Sequence, residues 1–166
     1  MPTNHRSRGA IIGSAAVAAA LAAALVPSAA SLAAQAKGPV VSTAKTSLGR
    51  ILVDSRGHTL YLFEKDKNGK SACSGACAAA WPPLIAAAKP RAAAGAVSSR
   101  LGTLKRADGR LQVTYNHHPL YTFVKDTKKG QTNGEGLNAF GAEWYAMSAA
   151  GAKVGKPGDK SSAGSS

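Results

Sequence analysis

The sequence is poor in the residues on which most enzyme active sites depend. Of its 166 residues, 8 are Asp or Glu, 4 are His and 2 are Cys. The carboxylates form no obvious acid–base pair along the chain, and neither G-x-S-x-G nor H-E-x-x-H occurs. A glycine-rich phosphate loop that closes with Lys-Ser or Lys-Thr is also missing. We therefore expect a protein that is not an enzyme and that carries no cofactor.

Residues 1–36 have the organisation of a secretory signal peptide. Arg6 and Arg8 form a short basic start, and an Ala-rich stretch without charge follows over 11–26. Ala34-Gln35-Ala36 is a small-residue cleavage site, with a cut after Ala33 as the alternative. The apolar stretch is short for a membrane span of about 20 residues. We expect cleavage, and no stable membrane span afterwards.

The cut site is not flanked by a cysteine, so we expect no lipid anchor there, and the separated arginines do not indicate the twin-arginine route. Basic residues outnumber acidic ones by 21 to 8, which favours anionic cell-wall or surface polymers as partners of an exported protein. Lys and Arg are not clustered with aromatic residues, so we expect no nucleic-acid partner. Residues 149–166 have almost nothing to bury, which predicts a disordered tail.

An internal duplication organises the rest of the chain. Residues 60–66 read LYLFEKD, and residues 120–126 read LYTFVKD. The offset of 60 holds without a gap from Gly49 and Gly109 to Asp66 and Asp126, and half of the aligned positions are identical. We therefore predict one duplicated domain over 37–148, with repeat one at 40–85 and repeat two at 100–148.

Short β-branched or apolar runs alternate with turn residues and predict an all-β domain with minimal helix. We expect two short antiparallel β-meanders, packed with pseudo-twofold symmetry. The only helix predicted is a short one over 76–81, and the Gly-rich stretch 128–141 is predicted to be a mobile surface loop. The predicted strands, about seven in number, cover 40–44, 51–54, 59–64, 101–105, 111–115, 120–124 and 143–147.

The repeated Tyr-x-Phe-x-x-Asp pattern allows two interpretations. Tyr61 and Phe63 share one face of a strand, and so do Tyr121 and Phe123, so the four rings are predicted to pack between the halves. Asp66 and Asp126 lie just past the strands, where a carboxylate accepts backbone N–H groups of a turn. The alternative makes Tyr61 with Asp66, and Tyr121 with Asp126, ligand sites for a cation or a sugar.

The two cysteines, Cys73 and Cys77, also leave two interpretations open. An oxidising compartment and their spacing of four favour a small structural disulfide. The alternative is a redox or copper site, because thiolates select soft metals. His58 and His118 occupy equivalent repeat positions and are the speculative additional ligands. Trp81, which precedes two prolines, is either a core residue or a stacking platform for a sugar.

Together these motifs resemble a bacterial secreted repeat family with a Tyr-x4-Asp motif, also described as predicted lipoproteins carrying Yx(FWY)xxD. The matching segments are Tyr61–Asp66, Tyr121–Asp126, the C-x3-C-A-x-x-W-P-P block Cys73–Leu84, Arg106–Gly109, Gln112–Asn116 and Pro119–Tyr121. The resemblance covers about 48–147. It implies an exported, often lipid-anchored bacterial protein of unknown biochemical function, and it supplies no catalytic residues.

Two departures from the family pattern affect the expected location and the second turn. The lipobox cysteine is missing, which favours a secreted or cell-wall-associated protein over a lipoprotein. His117-His118 stands where the family usually turns through Asn-Gly, which predicts a locally different hairpin. Our leading hypothesis is an exported binding protein of the bacterial cell surface or extracellular space. The alternative is an envelope redox or copper-handling protein that uses Cys73 and Cys77.

Overall fold

The computed structural model describes residues 37–155. The predicted signal peptide, 1–36, and residues 156–166 of the predicted tail lie outside them. The described chain is all-β with one short helix and one 3₁₀ turn, Ser98–Arg100, as the sequence predicts. Its elements are β1 (Val40–Thr46), β2 (Gly49–Val53), β3 (Tyr61–Phe63), α1 (Ala76–Ala80), β4 (Arg91–Ala92), β5 (Leu101–Lys105), β6 (Leu111–Tyr115), β7 (His118–Pro119), β8 (Leu137–Ala139) and β9 (Ala142–Ala146).

The strands form three small sheets. In the second repeat, β5, β6 and β7 make the expected antiparallel meander. In the first repeat, β1 and β2 form an antiparallel hairpin, and β4 pairs in parallel with β1. The third strand of the first repeat, β3, pairs instead with β9, which also pairs with β8. The predicted all-β fold is confirmed, and the two repeats share one sheet, in which β3 of the first repeat pairs with β9 of the second.

The two repeats meet in a reciprocal backbone contact between Tyr61 and Tyr121. The Tyr61 N–H donates to the Tyr121 carbonyl over 2.8 Å, and the Tyr121 N–H donates back over 3.0 Å. The contact is antiparallel. Equivalent residues of the two copies thus face one another, which is what a local twofold relation requires.

The predicted strand 120–124 does not form as a regular strand. Tyr121 makes isolated bridges to Tyr61 on one side and to Pro83 on the other. The Thr122 N–H donates to the Pro82 carbonyl over 2.9 Å, but Pro82 has no N–H to donate back, so the paired bonds of a regular ladder end there. The corresponding first-repeat strand has β9 as its second neighbour and stays regular over three residues.

The sequence aligns the two repeats at a constant offset of 60 residues, but β2 and β6 do not correspond in space at that offset. The Leu60 N–H donates to Leu52, whereas the Leu120 N–H donates to Val113. Leu52 therefore corresponds in space to Val113, an offset of 61. The cause is the intervening turn, since two residues separate Tyr115 from His118, whereas three separate Asp54 from His58.

The two faces of β3 pack against two different core clusters. Tyr61 and Phe63 enter an aromatic cluster, whereas Leu62 enters an aliphatic cluster together with the preceding Leu60. All four are at most 3% exposed. Both faces of β3 are therefore buried, although the strand lies at the edge of its sheet and has only the isolated Tyr61–Tyr121 bridge on its other side.

Two stretches that sequence reasoning left without strands or order are paired in the structure. The Gly-rich stretch 128–141 contains β8, and the connector between the repeats contains β4. Beyond Ser148 the chain turns back, and the Val154 N–H donates to the Ala146 carbonyl over 2.9 Å. The paired part of the chain thus extends past 148, where the sequence predicted that a disordered tail begins.

Candidate functional site

Each motif tyrosine binds the motif aspartate of the other repeat. The Tyr61 hydroxyl donates to Asp126 Oδ2 over 2.6 Å, and the Tyr121 hydroxyl donates to Asp66 Oδ2 over 2.8 Å. The sequence paired each tyrosine with the aspartate of its own repeat. The structure exchanges the partners because the antiparallel contact between Tyr61 and Tyr121 carries each aspartate back beside the opposite tyrosine.

The second oxygen of each motif carboxylate closes a loop. Asp66 Oδ1 accepts the Ala72 N–H over 2.7 Å, and Asp126 Oδ1 accepts the Asn133 N–H over 2.9 Å. Asp126 is 4% exposed, whereas Asp66 is half-buried. The predicted role of these carboxylates as acceptors of turn N–H groups is therefore observed, at six and seven residues' separation.

Burial shifts the pKa of all four side chains upward. It raises the pKa of both Asp66 and Asp126, against the lowering influence of their hydrogen bonds. It also raises the pKa of Tyr61 and of Tyr121 well above the usual value for a phenol, and the neighbouring carboxylates add to the effect. Both hydroxyls therefore stay protonated at neutral pH and act as hydrogen-bond donors to the aspartates.

The aromatic rings of the motifs belong to one stack through the core. Phe63 lies on Trp144 with ring centroids 4.0 Å apart, Trp144 lies on Trp81 at 4.0 Å, and Trp81 lies on Phe123 at 4.1 Å. Tyr61 meets Trp81 edge-on at 5.3 Å, and Tyr121 meets Trp144 edge-on at 5.1 Å. Trp81 is 1% exposed, so its face is not available to a sugar.

The Gly-rich stretch 128–141 is part of this arrangement. A Cβ atom on Gly134 would lie 2.6 Å from the Trp81 ring and 2.9 Å from the Tyr61 ring. The Gly134 N–H also donates to the Tyr61 hydroxyl over 3.2 Å. Sequence reasoning missed Gly134 because its role depends on two rings that are distant along the chain.

Cys73 and Cys77 form a disulfide, and both are buried. Arg106 fixes the adjacent segment: it donates to the Cys73 carbonyl over 2.6 Å and to the Ser71 hydroxyl over 2.9 Å. Ser71 in turn contacts the Tyr121 hydroxyl at 2.7 Å. The disulfide is therefore tied to the second motif. The sequence signalled Arg106 only as part of the repeat signature.

Of the two proposed additional copper ligands, His58 lies in a turn and His118 lies in β7. His58 Nδ1 is 3.7 Å from Asp54 Oδ2, in a turn whose backbone N–H groups donate to the Asp54 carboxylate. His118 is partly buried, and its burial lowers its pKa. Among residues 37–155, no group of three or more His, Cys, Asp or Glu side chains is placed to hold a metal ion. The structure also has both cysteine sulfurs joined to each other rather than free as thiolates.

The described surface carries two grooves. One, of about 760 Å³, is lined mainly by the alanine-rich connector 86–92 and by β5. The other, of about 680 Å³, lies beside the disulfide and Arg106. Neither is lined by a tyrosine or aspartate of the motifs. The motif side chains thus lie in the core rather than in a groove.

Charge is distributed unevenly between interior and surface. Among the described acidic residues, Asp54 and Asp126 are buried, and Glu64, Asp66 and Glu135 are partly buried. Only Asp108 and Glu143 are exposed, whereas Arg106 is the one buried basic residue in the same region. The exposed basic residues are Lys37, Lys45, Arg50, Arg56, Lys65, Lys67, Lys70, Lys89, Arg91, Lys105, Arg110, Lys125, Lys128, Lys129 and Lys153.

The fold and the exchanged tyrosine–aspartate bonds define a duplicated β domain whose signature residues build its core. A family model described as a secreted repeat of unknown function matches residues 42–85 and 102–148. The chain belongs to this family, and the two matches confirm the two repeats. The family description supports an extracellular location. Searches of curated proteins and of solved structures found no match. No helix within 37–155 is long and apolar enough to cross a membrane.

Proposed function

We propose that this protein acts without catalysis at the bacterial cell surface or in the extracellular space, and that it binds anionic polymers there. The observation that carries the proposal is the composition of the described surface, where exposed lysines and arginines greatly outnumber exposed carboxylates. Exposed charges of one sign attract polymers of the other sign and speed their encounter. Cell-wall and surface polymers with repeated phosphates or carboxylates fit this chemistry.

Several acidic side chains are bonded to groups within the protein, which leaves the surface more strongly cationic. Asp66 and Asp126 accept tyrosine hydroxyls and backbone N–H groups, and Asp54 accepts two N–H groups of its own turn. Asp108, though exposed, is 2.8 Å from Arg110. Few carboxylates therefore remain to offset the basic side chains at the surface.

The absence of catalysis is part of the proposal. The motif tyrosines and aspartates, whose pKa values burial raises, are bonded to one another. Perturbed pKa values often mark active sites, but a structural hydrogen-bond network accounts for these. No observation favours the copper-handling alternative, which stays a prediction. Copper analysis after mild reduction, in wild type and Cys73→Ser, is its test.

The proposal is tested with the mature chain and immobilised anionic polymers. Poly(glycerol phosphate) and polygalacturonate serve as phosphate and carboxylate probes, and dextran serves as the neutral control. We expect binding to both polyanions at 50 mM NaCl and a steep loss of affinity toward 400 mM, because salt screens exposed charges over about 10 Å at 0.1 M. Equal binding to dextran, or no binding to either polyanion at low salt, would overturn the proposal.

A further inference from the structure

A lysine-rich loop follows each Tyr-x-Phe-x-x-Asp motif. Lys65, Lys67 and Lys70 surround Asp66, and Lys125, Lys128 and Lys129 surround Asp126. All six lysines are exposed, whereas the aspartate within each loop is directed toward a tyrosine of the core. The motif therefore combines an inward carboxylate with outward ammonium groups.

The aspartates hold these loops in shape. Asp66 accepts the N–H of Ala72, and Asp126 accepts the N–H of Asn133, so each carboxylate spans its loop. The first loop contains a tight turn with positive φ at Asn68 and Gly69, and the Lys70 N–H donates to the Lys67 carbonyl over 2.9 Å. The lysines are thus displayed from closed loops, which lowers the ordering cost of binding.

Each lysine loop lies beside the hairpin turn of the other repeat. The Gly130 N–H donates to the Gly57 carbonyl over 3.1 Å, and the Thr59 hydroxyl donates to the Gln131 carbonyl over 2.7 Å. These bonds place the turn between β2 and β3 beside the second lysine loop. At the first loop, β3 contacts β7, the strand of the second repeat that contains His118.

The two loops leave the Tyr61–Tyr121 contact in opposite directions, because that contact is antiparallel. The first cationic end comprises Lys65, Lys67 and Lys70, and the second comprises Lys125, Lys128 and Lys129. Two acidic neighbours, Glu64 and Asp54, are paired with basic side chains. Glu64 is 3.2 Å from Lys153 beside the first end, and Asp54 is buried in the turn beside the second.

We infer that each cationic end binds one chain of an anionic polymer, so that a single molecule bridges two chains. This inference rests on the proposed function and adds its geometry. A protein with one basic face would bind a single chain, whereas two opposed ends of the same charge favour two. The shared ligand chemistry is a linear polymer with repeated phosphate or carboxylate groups.

A two-polymer capture assay tests the bridging. Biotinylated poly(glycerol phosphate) on a surface captures the mature protein, and a second, fluorescent sample of the same polymer is then added. A parallel arm uses polygalacturonate and distinguishes phosphate from carboxylate recognition. We expect wild type to retain the second polymer, and both single-end variants, Lys67→Glu/Lys70→Glu and Lys128→Glu/Lys129→Glu, to be captured but to lose the second polymer at least about tenfold.

Matched controls distinguish binding at the two cationic ends from an effect of the total charge of the protein. Lys45→Glu/Lys89→Glu makes the same charge change outside both ends and is expected to retain the second polymer. The four-lysine variant of both ends is expected to lose capture itself. Unaltered retention by the single-end variants, or a wild-type dimer at the assay concentration, would overturn the bridging. Failure of wild type to be captured at all would instead reject the proposed function.

Discussion

Tyr61 donates its hydroxyl hydrogen bond to Asp126, a residue of the other repeat, over 2.6 Å in the interior of the domain. The symmetric bond joins Tyr121 to Asp66 over 2.8 Å. A duplicated motif whose partners are exchanged makes each repeat incomplete without the other. This arrangement explains why Tyr and Asp recur together at a fixed spacing without requiring a ligand.

The two exchanged bonds are expected to differ in their contribution to stability. Tyr61→Phe leaves a buried oxygen of Asp126 and the Gly134 N–H without their hydroxyl partner, which should cost about 1–3 kcal/mol. Tyr121→Phe should cost less, because Asp66 is partly exposed and water can replace the hydroxyl. Urea unfolding measures both. Tyr145→Phe, which removes an exposed contact to Glu143, serves as the control. A larger loss for Tyr121→Phe would contradict the assignment.

The motif carboxylates should make stability depend on pH. Burial raises the folded pKa of Asp66 and Asp126 above the ordinary 3.8, so their contribution is fully present below pH 3.8 and is lost as the pH rises through the folded values. His118 acts oppositely, because its folded pKa lies below 6.5 and its contribution is lost as the pH falls through that value.

The pH effect is isolated by comparing wild type with Asp66→Asn/Asp126→Asn, since both proteins retain His118. We expect the unfolding free energy of wild type, relative to the variant, to rise as the pH is lowered from 7 toward 4. Urea unfolding at several pH values gives this difference. A difference that is constant over the range, or that falls toward acid, would show that burial does not raise these two pKa values.

Gly134→Ala should disturb the aromatic stack. The added methyl group would lie 2.6 Å from Trp81 and 2.9 Å from Tyr61, both of which are buried. Overpacking of this kind costs about 1–3 kcal/mol. Near-ultraviolet circular dichroism and urea unfolding should both report the change. Gly69→Ala is the comparison, since its Cβ meets open space and only its positive φ of 67° is strained. An unchanged near-ultraviolet spectrum for Gly134→Ala would argue against the close contact.

His117→Gly should stabilise the protein by roughly 0.5–1 kcal/mol. Asn116 and His117 have φ angles of 48° and 67°, so the two-residue turn between β6 and β7 needs left-handed conformations at both positions. Glycine adopts that conformation without the steric cost that a Cβ atom imposes, although it loses more entropy on folding. Thermal unfolding checks the sign. His118→Gly, within β7, should destabilise instead, and a loss of stability for His117→Gly would refute the turn geometry.

Local pattern was sufficient for the class of the fold. Alternating apolar residues and turn residues predicted most strands, because those signals depend on neighbours along the chain. The division of Tyr61 and Phe63 from Leu60 and Leu62 followed from the period of two in a strand. The helix at Ala76–Ala80 and the disulfide followed similarly, from short spacings.

The register of the strands and their pairing partners could not be predicted from local sequence pattern. The turn between β6 and β7 is one residue shorter than its counterpart, and identical residues on both sides of it concealed the shift. The strands β4 and β8 carry weak signals of their own, and they form because β1 and β9 offer them backbone partners.

The sequence by itself determined that the chain is a duplicated, strongly basic β domain with the features of an exported protein. Composition and repetition suffice for those conclusions, because they require no knowledge of which residues meet. Only the tertiary structure decided that Tyr61 binds Asp126 rather than Asp66. The physical reason is the antiparallel contact between the copies, which exchanges the partners of the two motifs and directs their lysine loops to opposite ends.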